Sequence, residues 1–161
     1  MSGFAEADLT AAWASIDAYE EAEFRALIGG LVADAPAAIA AFERASAWDS
    51  TGHPDEAVPL YRSALTAGLT GLRRRRATIQ LASSLRNLGA VDESVALLSA
   101  ELAVSDPDAA ALGDAVRGFL ALALVSAGRP REAAALALEA LAPHLPRYQR
   151  SLGAYARDLV A

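Results

Sequence analysis

Gly52-His53-Pro54-Asp55-Glu56-Ala57 is the phrase on which the reading of this chain turns, because it is written three times. It returns as Gly89-Ala90-Val91-Asp92-Glu93-Ser94 and as Gly128-Arg129-Pro130-Arg131-Glu132-Ala133, at spacings of 37 and then 39 residues. The register extends outward: a small residue stands twelve before the closing Ala or Ser (Ala45, Ala82, Ala121) and a Leu three after it (Leu60, Leu97, Leu136). Gly is favoured where a helix ends in a left-handed conformation. Pro54 and Pro130 then fall where the next helix takes its first turn, and Asp55, Glu56, Asp92, Glu93 and Glu132 stand near that helix's positive end. Each phrase therefore predicts a tight helix-turn-helix. The small residues let the two helices approach closely, while Phe42, Trp48 and Tyr61 fill the space between them.

Composition points the same way. Of 161 residues 41 are Ala and 23 are Leu, two helix-favouring types that make up about 40% of the chain. Cys is absent and His occurs only at 53 and 144, which excludes a disulfide scaffold, thiolate zinc sites and cysteine nucleophiles and leaves little room for imidazole chemistry. The longest uninterrupted apolar run, Phe119 to Val125, has seven residues, short of a membrane span, and the first residues are acidic (Glu6, Asp8) without the basic and apolar regions of a secretion signal. The expectation is a cytoplasmic protein with no membrane partner. The net charge of -6 is unevenly spread: residues 1–70 carry 11 acids and 3 bases, residues 71–161 carry 9 acids and 11 bases. That total disfavours non-specific nucleic-acid binding, which rests on many cations meeting phosphates.

With these residues in register the chain resembles the tetratricopeptide repeat family, whose unit of about 34 residues has two antiparallel helices with small residues at its eighth and twentieth positions. Setting Ala57, Ser94 and Ala133 at the twentieth position places Ala45, Ala82 and Ala121 at the eighth, and puts Pro107 and Pro146 one residue beyond the family's usual Pro. The family's Trp at the fourth position is replaced by Ala41, Thr78 and Arg117, and the repeats run long, which predicts extended loops around 66–72 and 104–112. The stretch from Gly52 through Asn87, with Tyr61-Arg62 and Gln80 to Asn87, is also similar to a small bacterial subgroup of single-domain proteins of this family. The resemblance implies an all-α, right-handed α-solenoid of antiparallel helix pairs, about three repeats over residues 36–142. N-terminal capping helices would occupy 1–35 and a C-terminal capping helix 143–161, all as one compact domain.

The flanks suit that role. Leu9, Trp13 and Ile16 make one apolar stripe and Phe24, Leu27, Ile28 and Leu31 a second, with Asp17 and Glu20 placed to form a capping box between them. Gly29-Gly30 inside the second stripe predicts a kink or a close backbone contact. At the end Tyr148, Leu152, Tyr155 and Leu159 follow at helical spacing, with Arg147, Arg150 and Arg157 for the wet face.

No enzyme shows itself. There is no phosphate loop ending in Lys-Ser or Lys-Thr, no paired His at helix spacing and no Gly-x-Ser-x-Gly elbow. The carboxylate pairs Glu20-Glu21, Asp55-Glu56 and Asp92-Glu93 all fall at expected helix starts, where the helix dipole accounts for them. No catalytic residue, metal site or cofactor is assigned.

The most informative local feature is Arg73-Arg74-Arg75-Arg76, at the expected start of a helix, where the partial charge is already positive. Either acids such as Glu43 or Asp49 on the neighbouring helix compensate, or the run is a patch for an anionic partner. Four successive helical residues splay through about 300°, so not all can face one ligand. The resemblance further implies a concave groove lined by the first helix of each pair, here Phe42, Ser46, Asp49, Arg76, Ile79, Ser83, Asn87 and Leu122. Gln80 joins Arg76, Ser83 and Asn87 in a polar band suited to a peptide backbone. Phe42 and Ser46 replace the Lys and Asn of the family's carboxylate clamp. The leading reading is a non-enzymatic interaction module or scaffold that binds a peptide or protein segment. The alternative is a structural protein acting as a homo-oligomer, through Trp13 and the terminal tyrosines.

Overall fold

Each repeated phrase joins two helices. In the computed structural model, which describes residues 5–161, the first joint lies between α3 (Ala37–Ser50) and α4 (Pro54–Thr66), the second between α5 (Gly71–Asn87) and α6 (Val91–Leu102), and the third between α7 (Gly113–Ser126) and α8 (Pro130–Leu141). Before them come α1 (Glu6–Ala14) and α2 (Glu21–Leu31), and after them α9 (Gln149–Asp158), so that nine α-helices and no strand are present among the described residues.

The joints share one hydrogen-bond pattern. The N–H of the residue after Gly reaches back across the helix end, His53 to Trp48 O at 3.0 Å, Ala90 to Leu85 O at 2.9 Å and Arg129 to Leu124 O at 2.8 Å. The Gly N–H closes a shorter loop inside it, onto Asp49, Arg86 and Val125. This is the Schellman arrangement, which requires a left-handed residue, and Gly52, Gly89 and Gly128 have φ of 81°, 85° and 73°. The next helix then opens with a bond back to the residue after Gly, from Ala57, Ser94 and Ala133. A fourth joint of the same type, with Leu69 N–H on Ala64 O and Gly68 at φ 85°, links α4 to α5. It contracts the long loop expected at 66–72 to the four residues 67–70. The second expected loop, 104–112, is partly ordered as a 3₁₀ helix over Pro107–Leu112 whose start is capped by the Asp106 carboxylate on Asp108 N–H.

The chain divides into two compact units, one ending at Ser84 and one beginning at Leu85, so the division falls inside α5. In unit 1, α1 packs onto α2, α2 onto α3, and α3 onto α4. Both N-terminal stripes enter one core: Leu9, Ala12, Phe24, Ile28 and Val32 are buried with Ala40 and Ala47, and Trp13, Ile16, Leu27 and Leu31 lie against them. Ala45 and Ala57, the small pair across the first joint, are fully buried. The expected capping box is not formed: Asp17 lies in a 3₁₀ turn, Ile16–Ala18, and Glu20 caps α2 through its backbone only. Gly29-Gly30 produces no close contact either, since a Cβ at either position would meet nothing within 4 Å, and α2 ends one residue later.

In unit 2, α7 packs between α6 and α8, and α9 lies against α8. Leu98, Val116, Leu120, Leu124, Ala133 and Ala156 are its buried apolar residues near these contacts. The 3₁₀ helix and α7 run on as one helical stretch, Pro107–Ser126, long and apolar enough by length and composition to cross a membrane. Counting uninterrupted apolar residues missed it, because Asp114, Arg117 and Gly118 break the run without lowering the mean hydropathy below that of a span. Here the stretch supplies the first helix of the third pair.

Candidate functional site

The arginine run opens α5, and its members go to different surroundings. Arg73 donates from Nε to Glu43 Oε1 at 3.1 Å and from Nη2 to Glu6 Oε2 at 2.6 Å. Glu43 is 2% exposed, and its other oxygen accepts from Trp13 Nε1 at 2.9 Å. Of the two acids expected to neutralise the run, Glu43 does so for Arg73, whereas Asp49 is engaged elsewhere. Trp13, expected as an uncovered aromatic surface for self-association, is half-buried and edge-on to Phe24. Arg74 is half-buried and Arg75 is buried. Arg76 alone of the four is exposed, with its guanidinium 5.1 Å above the Phe42 ring. That stacking is worth about 0.5–1 kcal/mol at an exposed site.

Beneath Arg76, Phe42 meets Tyr61 with ring centroids 6.3 Å apart, and both rings are fully buried. Tyr61 donates its hydroxyl to Asp49 Oδ2 at 3.2 Å, and Ser84 donates to Oδ1 at 3.0 Å. Burial, then the nearby Asp49 charge, push the Tyr61 phenol above its ordinary range, so it remains a neutral donor. Burial raises the Asp49 carboxyl as well, more than the two hydroxyl donors lower it. A carboxyl with a raised folded-state pKa holds its proton more tightly folded than unfolded. Its ionised form therefore subtracts from stability at neutral pH, and the deficit closes as pH falls through the folded pKa. Asp49→Asn is accordingly expected to be more stable than the wild type at pH 7. Its advantage in urea midpoint should shrink toward pH 4, about the ordinary carboxylate range.

A cavity of about 650 Å³ opens beside Arg76, lined in part by Ile39, Leu69, Thr70, Leu72 and Arg73, and no acid lines it. Two helix starts border it. Neither α3 nor α5 has an acid in its first turn, and α3 begins at Pro36 with no side-chain cap, so its first N–H groups are open to an acceptor. Mixed apolar walls, a hydroxyl, an unmasked guanidinium and free N–H donors can hold a carboxylate or a peptide carbonyl together with an apolar side chain. Leu69, Thr70 and Leu72 were not singled out from sequence. The signal that points to them is the missing acid in the first turn of α3 and α5, where every other helix of this chain except α9 carries one.

The remaining groove residues separate by burial. Phe42, Ser46 and Ile79 are buried and form the interior of their helices' packing, not an open lining. Asp49 is half-buried in its hydroxyl network, and Gln80 and Ser83 are half-buried on α5 at four and seven residues from Arg76. Asn87 and Leu122 fall in unit 2 and are exposed. Of the two histidines, His53 stands edge-on to Trp48 at 5.4 Å, and His144 Nε2 lies 2.9 Å from Asp114. No group of three or more His, Cys, Asp or Glu placed to hold a metal occurs among the described residues.

Helix pairs joined in register by glycine turns, with small residues buried at each crossing, define a helical-repeat protein. The profile of the Tetratrico peptide repeat family matches residues 38–159, and the chain belongs to that family. Repeats of this kind generally mediate protein–protein interaction and are generally non-catalytic. Comparison with curated proteins and with solved structures found no match.

Proposed function

We propose that this chain is a non-catalytic docking module that holds a segment of another protein on unit 1, with Arg76 at the contact. The observation that carries the reading is the acid-free cavity beside Arg76, large enough for one or two side chains. From it the polar groups of Gln80 and Ser83 continue along α5, offering hydrogen bonds to a peptide backbone. Arg73 does not serve this contact, because its charge is spent on Glu43 and Glu6.

The test compares the wild type with Arg76→Glu as baits in native extract, with captured proteins identified by mass spectrometry. Arg76 is exposed and makes no ion pair among the described residues, so the variant is expected to keep its helix content. A partner held by the wild type should be weakened about tenfold or more by the variant, and by added salt. Equal capture by both proteins would rule out the cavity as the docking site.

A further inference from the structure

Unit 1 and unit 2 each present an exposed cluster of like charges that outnumber the counter-charges beside them. On unit 1, Asp17, Glu20, Glu21 and Glu23 lie within seven residues at the start of α2, all exposed. Glu21 stands 3.8 Å from Arg25 and 3.7 Å from His53; Asp17, Glu20 and Glu23 have no cation within ion-pair distance among the described residues. Arg25 offers little more, since it stacks on Trp48 at 4.4 Å and donates to Thr51. This face is also concave: a hollow of about 470 Å³ is lined by Asp17, Glu21 and Tyr19, with no base.

On unit 2, α9 and the residues just before it carry Arg147, Arg150 and Arg157, all exposed and without a carboxylate partner among the described residues. Between them Tyr148 and Tyr155 are 75% and 67% exposed, the two most exposed large hydrophobic residues described. Arg and Tyr are the side chains that carry most energy in protein interfaces, Tyr by area and Arg by directed hydrogen bonds. Arg147, Tyr148 and Arg150 border one hollow, so two charges and a ring stand together for an acidic partner, whereas Tyr155 lies on the other side of α9 from Arg150 and Arg157.

We propose that the occupant of the α9 face is the acidic α2 face of a second copy of this chain. The two surfaces are complementary in charge, and every copy possesses both. The surface of Arg147, Tyr148 and Arg150 meets the acidic, aromatic-edged surface of Asp17, Tyr19 and Glu21 at an ionic strength where neither is screened. Because the two faces differ, the contact is heterologous: each copy offers one face to the copy before it and one to the copy after it. The association builds head-to-tail and adds to the docking function proposed above without using Arg76.

Sedimentation of the full chain tests this, over about 10–300 µM protein in about 20 mM and about 500 mM NaCl. At low salt the average mass should rise with concentration above the 16.7 kDa of one chain, and at high salt it should return to it. Two surface variants cap the faces separately: Arg147→Ser with Arg150→Ser, and Asp17→Asn with Glu21→Gln, each checked for helix content by circular dichroism. Either variant alone should associate about tenfold more weakly or not at all. An equimolar mixture should stop at a one-to-one dimer, because each variant keeps the face that the other has lost. A wild type that remains monomeric at low salt, a variant that associates like wild type, or a mixture that stays monomeric would each overturn the proposal. A dimer that forms by pairing like faces would not be restored by mixing.

Discussion

Phe42→Ala is expected to lower the unfolding free energy by about 3–5 kcal/mol, the largest effect of any single change considered, read as a shift of the urea midpoint at constant slope. Phe42 is fully buried, lies against Tyr61 and is covered by Arg76. Truncation removes the ring's transfer free energy and leaves a cavity between α3 and α4 that Ala45 and Ala57, the small buried residues on either side of the joint, cannot fill. A residue lining an open peptide groove would behave oppositely, with binding lost and stability kept. The two measurements on one variant therefore decide whether position 42 belongs to the interior or to the binding surface.

Arg73→Ala is the second large effect, about 2–3 kcal/mol of destabilisation. The loss comes less from the exposed contact with Glu6 than from Glu43, a carboxylate 2% exposed that would keep only the Trp13 indole as a donor among the described residues. Removing both partners together, Arg73→Met with Glu43→Leu, should recover most of the loss. Apolar groups of similar volume leave no charge to desolvate. If the double variant is as unstable as the single one, the pair acts by positioning α1 through Glu6 and Trp13 instead. Equilibrium unfolding of the wild type, Arg73→Met, Glu43→Leu and the double variant separates the cases.

What could be read from the residues follows a physical division. The joints at Gly52, Gly89 and Gly128 were legible because the demand for positive φ is local and few residues meet it. The joint at Gly68 escaped because Leu69-Thr70-Gly71 lacks the Pro and acids that mark a helix start elsewhere. The N-terminal stripes were legible from periodicity, and their packing into one core followed. The partners of the arginine run were only half legible. Helical geometry shows that four successive arginines cannot all face one ligand, but that Glu6, 67 residues away, completes the Arg73 site depends on how α1 lies across the unit. Asp49 looked as suitable as Glu43 from its spacing, and the difference was made by Tyr61 and Ser84, hydroxyls that claim both its oxygens. The groove positions came from a family register that specifies which helix face is inward, not which inward side chains remain uncovered. Phe42, Ser46 and Ile79 therefore proved interior while Arg76 stayed open.

The glycine joints bear on how such a chain can change over time. A Cβ at Gly52, Gly89 or Gly128 would meet nothing within 4 Å, so what each joint demands is a backbone torsion alone. Nothing in the surrounding side chains is tailored to it. A boundary that asks nothing of its neighbours can be copied, lengthened on either side or placed between helix pairs whose interiors have diverged. The three joints keep the same hydrogen bonds although the spacings between them differ, 37 residues and then 39. The punctuation of this protein is independent of its vocabulary, and duplication followed by drift could rewrite each core without unpicking the turns.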